Sequence, residues 1–250
     1  MLGSPGTLPV VAAAFSLAEI PGLKLWLAGN RSPFTLNSGN VSQWDDISGS
    51  GNHATQATAT LQPAYVASGI NGLPGIKGDG TDDLLEISNT FNNDHLFDAT
   101  VKSVFAVFRT GSTTQSNKRV FIGQQGSSSR LGLFLGVNYT TLYTYRTNAP
   151  GTAFLTDGSI ANLAINTNYI MVLRQNGASI KGYLNSLTPT ATASDGSTSA
   201  ETSTASTNIG GPGTNITISE IIVTSGADPS DAQIALTQTY LANKYGVTLA

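Results

Sequence analysis

Short apolar segments, each bounded by Gly, Asn or Ser, recur along most of this chain. Between Val101 and Arg109, apolar side chains occupy both alternating sets of positions, which is typical of a strand covered on both faces. Comparable segments cover 119–122, 131–137, 141–146, 169–174, 179–184 and 216–224. Many short strands joined by Gly and Asn turns, with almost no helical period, predict an all-β fold, an antiparallel jelly-roll β-sandwich.

One short helix is indicated near the C-terminus. Asp228 is the expected N-cap with Pro229 at the first helical position, and Gly246 offers the left-handed residue that ends a helix. Between these signals, side chains at three- and four-residue spacing form a stripe that is expected to pack on a sheet edge or loop. The stripe consists of Ile234, Thr237, Leu241 and Tyr245.

Two segments show neither pattern. Residues 1–20 are rich in Gly, Pro and Ala, and they predict an extended N-terminal arm that docks on a partner, so the jelly-roll domain is expected to occupy 21–250. Residues 188–207 are nearly all Thr, Ser, Ala and Gly. They predict a long exposed loop, with a functional binding loop as the alternative.

The chain is polar without being charged. Its 12 Lys and Arg and 15 Asp and Glu make up 11% of 250 residues, with a net charge of −3, whereas roughly 25% is usual. A nucleic-acid-binding protein needs clustered basic residues, and so does a protein that binds anionic membranes. We therefore expect no nucleic-acid partner. No apolar run approaches the length of a bilayer span, so no membrane insertion is expected either.

Missing residue types exclude several kinds of chemistry. The absence of cysteine rules out disulfides, thiolate zinc sites and cysteine nucleophiles. No Lys or Arg precedes Lys24, so a secretory signal is not expected. His53 and His95 are the two histidines, and no Gly-x-Ser-x-Gly motif accompanies them. Glu86 and Glu220 each stand alone on a strand, whereas glycosidases use paired carboxylates. The sequence therefore predicts a protein that is not an enzyme.

A block of polar and turn residues after the first strand carries a family resemblance. It reads Trp44-Asp45-Asp46-Ile-Ser48-Gly49-Ser-Gly51-Asn52, and Asp79-Gly80-Thr81-Asp82-Asp83 follows it; later motifs are Gly182-Tyr183-Leu184-Asn185, Ile209-Gly210-Gly211 and Tyr240-Leu241-Ala-Asn-Lys244-Tyr245-Gly246. In this order they resemble the concanavalin A-like, laminin G-like jelly-roll domains of bacterial and phage surface proteins. The resemblance implies one compact domain of two sheets with roughly six or seven strands each. The family usually has an aromatic residue at the place of Gly78.

The same motifs hold the densest group of oxygen donors in the chain. Calcium takes six to eight such ligands, and laminin G-like relatives often hold calcium in loops, so the resemblance implies a calcium site. The alternative is that these side chains form turns by accepting hydrogen bonds from their own backbone. The candidate ligands are Asp45, Asp46, Asn52, Asp79, Asp82 and Asp83.

Aromatic residues suggest a second candidate site. Trp26 and Trp44 stand beside apolar strand residues, which favours core packing over sugar stacking. An exposed aromatic face on two neighbouring strands would bind a glycan or a protein partner, although a solvated sheet edge explains the same pattern. This face would consist of Tyr139, Tyr143, Tyr145 and Arg146.

Two functions remain open at this point. The first is a non-catalytic bacteriophage virion protein, a capsid decoration, fibre or adhesin subunit on the virion surface, with itself and other virion proteins as partners. Its basis is the uncharged surface, the missing signal and the N-terminal arm. The alternative is a bacterial secreted or cell-surface carbohydrate-binding module that binds cell-surface glycans. A fold alone does not separate them, because one fold hosts many functions.

Overall fold

The structure is a computed structural model that describes residues 16–97, 101–111, 118–125, 129–135, 142–146, 154–155, 163–194 and 205–250. Side chains are described for 16–96, 101–111, 120–121, 163–192 and 205–250. The strands are β1 (Leu23–Ala28), β2 (Phe34–Asn37), β3 (Asn40–Trp44), β4 (Ala54–Thr55), β5 (Ala64–Ile70), β6 (Leu73–Lys77), β7 (Leu84–Ile87), β8 (Val101–Arg109), β9 (Lys118–Gln125), β10 (Ser129–Leu135), β11 (Leu142–Arg146), β12 (Phe154–Leu155), β13 (Asn168–Asn176), β14 (Ser179–Leu184), β15 (Ala191–Ser194), β16 (Thr207–Gly210) and β17 (Thr217–Ser225). The helices are α1 (Asn89–Phe91), which continues into a π-helical turn (Asn92–Phe97), and α2 (Asp231–Tyr245). Short 3₁₀ turns occur at Leu17–Glu19 and Ala59–Leu61.

The strands form two layers, and all the strand pairings described are antiparallel. One layer, the helix-side sheet, has the order β15–β14–β13–β8–β17, and the far edge of β17 pairs with β6 and then with β1. β5 lies beyond β6. The other layer, the outer sheet, has the order β2–β3–β4–β7–β16–β9–β10–β11–β12. The predicted all-β sandwich with one short C-terminal helix is thereby confirmed.

The main core lies between the two sheets. Trp44 is completely buried there, and its ring stacks on Phe34 with the ring centroids 5.2 Å apart. Phe108 from β8 and Phe121 from β9 fill the same layer from opposite sheets. Trp44 is therefore a core residue, as its apolar neighbours predict.

A second core lies on the other face of the helix-side sheet. Phe105 and Val107 of β8 point away from the sandwich and pack against Leu241 and Tyr245 of α2 in one buried cluster. Trp26 belongs to this cluster and is 4% exposed. The helix thus explains why β8 carries apolar residues at both alternating sets of positions. Among the described residues, no helix has the length and apolar character needed to cross a bilayer.

The start of α2 differs from the sequence expectation. The N-cap is Ser230, whose hydroxyl accepts a hydrogen bond from the backbone N–H of Gln233, and the Gln233 side chain accepts one from the backbone N–H of Ser230. Asp228 does not cap the helix, because its carboxylate pairs with Arg174 of β13 instead. The end of the helix is as predicted, with Gly246 at a φ of 64°.

Three further segments qualify the sequence interpretation. Within 188–207, Ala191–Ser194 forms β15 against β14, so a single long loop is wrong for these residues. Leu17 and Ile20, which fall within the predicted arm, are buried in the second core. Residues 1–15 lie outside the described part of the chain, so the arm stays a prediction.

β17 contains an irregularity that matters for the site. Its pairing with β8 shifts register between Ile218 and Glu220. Ile218 points into the main core, while Thr217 and Glu220 pair with Arg109 and Val107, which lie two positions apart on β8. Residues two apart on a strand share a face, so Thr217 and Glu220 both point away from the core.

Candidate functional site

Asp46 organises the loop that follows β3. It is 8% exposed, and its Oδ1 accepts hydrogen bonds from the backbone N–H groups of Trp26 and Ser48, each at 2.9 Å. Its Oδ2 accepts from the Ser48 hydroxyl at 2.8 Å and from the Asn52 N–H at 2.9 Å. Four donors already occupy this carboxylate, which supports the turn-forming alternative for Asp46.

The neighbours of Asp46 are also held within this loop. The Asp45 Oδ1 accepts from the Gln43 side chain at 2.6 Å and lies 3.5 Å from the His53 Nδ1. That ring nitrogen also accepts a hydrogen bond from the backbone N–H of Asp46 at 3.1 Å. The Asn52 side chain donates to the Lys24 carbonyl at 2.8 Å. These contacts join the loop to β1.

The other three candidate ligands come together on one turn. Oxygen atoms of Asp79, Asp82 and Asp83 lie within 4.8 Å of one another, and this is the one such group of three in the part of the chain that the structure describes. Asp45 and Asp46 do not belong to it. The six predicted calcium ligands therefore fall into two groups, and whether the second group binds calcium stays a prediction.

Burial perturbs one carboxylate of this turn. Asp83 is 7% exposed, and desolvation raises its pKa, with the negative charges of Asp79 and Asp82 adding to the rise. A hydrogen bond from the Asp79 N–H to the Asp83 Oδ2 at 2.9 Å acts in the opposite direction. The Asp79 Oδ1 accepts from the Thr81 N–H at 2.7 Å. The turn therefore concentrates negative charge that its own hydrogen bonds offset only in part.

The turn is fixed against the segment before β17. The Gly80 N–H donates to the Thr214 carbonyl at 3.0 Å, and the Gly213 N–H donates to the Thr81 carbonyl at 2.8 Å. A Cβ at Gly78 would lie 2.2 Å from the Thr214 oxygen. This close backbone approach explains why a glycine stands where the resembling family usually has an aromatic residue.

A polar cavity of about 550 Å³ opens beside this turn. We call it the amide cavity after the amide side chains in its lining. Its charged lining residues are Lys77, Asp79 and Asp83, and its amides are Asn40, Gln62 and Asn215. Such a surface offers both hydrogen-bond donors and acceptors to a ligand.

A second cavity of about 270 Å³ shares Lys77 and Asn215 with the first. We call it the cationic cavity, and the two together the polar groove. Its distinctive residues come from the ends of strands: Lys77 ends β6, Arg109 ends β8 and Thr217 begins β17. Sequence reasoning missed this group because these residues are far apart in the chain. The available signal was a polar residue at the end of each apolar strand.

The predicted aromatic face is only partly covered by the structure. Tyr139 lies outside the described residues. Tyr143, Tyr145 and Arg146 lie in β11, which is described through its backbone and pairs with β10 and β12. Tyr143 and Tyr145 share one face of this strand, because they are two positions apart. Their role as a glycan or partner surface stays a prediction.

Comparison with known proteins shows likeness at the level of structure. No protein-family model and no curated protein matches the chain. Trypanosoma rangeli sialidase in complex with a difluorinated keto-deoxy-nononic acid is similar over 87% of this chain and 33% of its own, with 14% identity and a TM-score of 0.60. The chain thus spans about a third of the length of the sialidase structures that it matches.

Two further domains are similar to comparable degrees. Domain 4 of AbnA, a GH43 extracellular arabinanase from Geobacillus stearothermophilus, in complex with arabinotriose, matches with 15% identity and a TM-score of 0.61, over 87% of this chain and 98% of its own. The binding domain of botulinum neurotoxin serotype D matches with 12% identity and a TM-score of 0.62, over 91% and 54%. At these identities the likeness shows the β-sandwich fold alone.

Proposed function

We propose that this chain is a carbohydrate-binding β-sandwich domain and that the polar groove is its binding site. The observation that carries the proposal is the lining of the amide cavity, in which amides, carboxylates and a lysine face one open space. Sugar hydroxyls both donate and accept hydrogen bonds, and such a lining can satisfy both. The arabinotriose complex of a similar domain supports the same class of ligand.

The proposal favours an extracellular or cell-surface location over a virion. Of the similar structures named above, one is described as part of an extracellular enzyme and none as a virion protein. They therefore support the carbohydrate-binding alternative better than a capsid decoration or fibre role. The virion role and the laminin G-like family membership stay predictions.

Binding without hydrolysis fits the described carboxylates best. Glu220 is completely buried and accepts hydrogen bonds from three side chains, so a sugar cannot reach it. Asp79, Asp82 and Asp83 come from one turn, and they would approach a sugar from one side. Glycosidases need carboxyl groups that flank the scissile bond.

A glycan array with the full chain tests this function, and Asn40→Ala is the informative variant. Asn40 lines the amide cavity, so its loss should weaken binding of any glycan found by about tenfold. Asn243→Ala is the matched control, because Asn243 is exposed on α2 and lines neither cavity. Absence of glycan binding, or equal weakening in both variants, would contradict the proposed site. Reducing-sugar release from the bound glycan would contradict a non-catalytic role.

A further inference from the structure

Two cations flank one hydroxyl on the helix-side sheet, on the face away from the main core and in a region whose lining contains no residue of α2. Thr217 pairs with Lys77 of β6 on one side and with Arg109 of β8 on the other. Directly paired residues on adjacent strands point to the same face. All three residues line the cationic cavity. The register of β6, β17 and β8 therefore places Lys77, Thr217 and Arg109 in one row across three strands, with the hydroxyl between the two positive charges.

Both cations lack a carboxylate partner within the described residues. No ion pair or side-chain hydrogen bond involves Lys77 or Arg109 there, although Arg109 is half-buried. By contrast, the buried Arg174 binds Asp228, and Lys244 binds Glu220. A half-buried guanidinium beside a second positive charge favours an anion as its partner.

The rest of the cavity suits an acidic group. The residues of its lining that the structure describes include hydroxyls and amides, among them Ser68 and Asn166, and no carboxylate. At Gly111 a Cβ would lie 2.5 Å from the Asn215 side chain, so glycine lets this amide reach the cavity. The carboxylates Asp79 and Asp83 line the adjoining amide cavity together with Lys77. They would repel an anion there and direct it towards Arg109.

We infer that the cationic cavity binds the acidic group of a glycan, a carboxylate or a sulfate, while the amide cavity binds neutral hydroxyls of the same glycan. This inference rests on the proposed carbohydrate-binding function and gives its ligand a chemical class. The guanidinium of Arg109 can contact two oxygens of either group at once. A nucleic acid is a poor alternative, because phosphate-backbone binding needs many cations and the chain has a net charge of −3.

The test compares neutral, uronic, sialylated and sulfated glycans on one array with the intact chain and three variants. Arg109→Gln and Lys77→Gln should each weaken binding of acidic glycans at least tenfold. Lys24→Gln is the control, because it removes the same charge from a residue that lines neither cavity. Circular dichroism and the melting temperature establish that each variant is folded. Preference for sialylated or uronic glycans identifies a carboxylate, and preference for sulfated glycans identifies a sulfate.

A second measurement needs no variant. Raising the NaCl concentration from about 0.05 M to about 0.5 M should weaken acidic glycan binding by the wild-type chain, because salt screens exposed charges, and should leave neutral glycan binding unchanged. Acidic glycan binding that survives both Arg109→Gln and Lys77→Gln would overturn the inference, and so would a preference for neutral glycans. The proposed function would then still stand. Absence of binding to every glycan would overturn both.

Discussion

At the scale of single residues, Glu220 carries the most consequential buried charge. It is completely buried and accepts hydrogen bonds from the Trp26 indole at 2.7 Å, the Lys244 ammonium at 2.6 Å and the Tyr245 hydroxyl at 2.8 Å. Burial raises the pKa of Tyr245, and the Glu220 charge raises it further, so the tyrosine stays a donor. Glu220 thus joins β17 to β1 and to α2.

Replacing this carboxylate should destabilise the fold. Glu220→Gln leaves the Lys244 ammonium without its counter-charge, and breaking a buried ion pair costs about 3 kcal/mol or more of unfolding free energy. Urea denaturation measures the loss. Glu86→Gln is the control, because Glu86 is exposed on β7 and its replacement should change stability by less than about 0.5 kcal/mol. Equal losses in the two variants would contradict the assigned role of Glu220.

Asp83 should make stability depend on pH in a defined direction. Its pKa is raised in the folded chain, so above the ordinary value of about 4 the folded state holds more protons than the unfolded state. The free energy of unfolding therefore falls as the pH rises through the window from about 4 to the raised pKa of Asp83 in the folded chain. Above that pKa the carboxyl is ionised in both states and the fall ends. Asp83→Asn should remove this fall. Urea denaturation across the window measures it, with the exposed Asp94→Asn as control. A variant with the same pH profile as the wild type would contradict the prediction.

Calcium binding by the turn that holds Asp79, Asp82 and Asp83 is tested by its effect on thermal stability. If Asp79, Asp82 and Asp83 hold calcium, the ion relieves their mutual repulsion, and adding it should raise the melting temperature. A chelator should reverse the rise, and Asp82→Asn should abolish it. Asp45→Asn, in the other group of candidate ligands, is the control. A melting temperature that is indifferent to calcium and chelator would contradict the prediction.

The sequence predicted individual residues well where local chemistry decides their place. Trp44 is in the core, as its apolar neighbours predict. For Asp46 the sequence leaves a calcium ligand and a turn former open, and its hydrogen bonds fit the turn former. Lys77, Arg109 and Thr217 could not be grouped from the sequence. They become neighbours only through the pairing of β6, β17 and β8, which depends on long-range register.

At the scale of elements, α2 shows how a tertiary contact changes a local signal. Asp228 and Ser230 are both good N-cap residues by type. Arg174 of β13 binds the Asp228 carboxylate through two nitrogens, each at 2.8 Å, and also binds Asp231. The hydrogen bond that Arg174 donates to Asp231 lowers the pKa of this carboxyl, and the positive charge of Arg174 lowers it further. The sequence therefore predicts the wrong N-cap, because Arg174, from a distant strand, binds the Asp228 carboxylate that would otherwise cap the helix.

Removing the observed cap should weaken the helix. Ser230→Ala deletes the hydroxyl that accepts from the Gln233 N–H, and the loss of such a cap costs about 1 kcal/mol of unfolding free energy. Urea denaturation measures the change, and Ser50→Ala in an exposed turn is the control. A Ser230→Ala variant as stable as the wild type would contradict the capping role.

β15 is a strand that its local sequence pattern does not predict. Its sequence, Ala-Thr-Ala-Ser, has no large apolar side chain, so nothing in it indicates a strand. It is a strand because β14 offers an open edge with which its backbone can pair. Alternating large apolar residues predict strands that contribute side chains to the core. They do not predict strands that only extend the edge of a sheet.

At the scale of the whole molecule, the helix-side sheet is covered on both faces, and the N-terminal residues contribute to the cover. Leu17 and Ile20 are 3% and 4% exposed in the second core. The chain that begins at residue 16 is the reference for stability to urea. Removing 1–20 should cost about 3 kcal/mol or more, since burial of each large apolar side chain contributes about 1.5–3 kcal/mol. Equal stability of the two truncated chains would contradict this.

The same truncation tests the predicted homo-oligomer. If residues 1–15 dock on a second copy, the full chain should form an oligomer in size-exclusion chromatography with light scattering, and the chain that begins at residue 16 should be a monomer. The melting temperature of that shorter chain checks that its fold is intact. A full chain that is monomeric at high concentration would contradict the prediction.

The register shift in β17 has a consequence for how such a binding surface can change during evolution. Residues three apart on a regular strand face opposite ways, yet Thr217 and Glu220 face the same way because one additional residue lies between them. Deleting that residue would turn the hydroxyl inwards and the Ile218 side chain outwards, while the remainder of the strand kept its orientation. A single-codon deletion would thus erase the proposed binding surface in one step and leave Glu220, which anchors the helix, in place. The two properties are therefore separable by mutation although they share a strand.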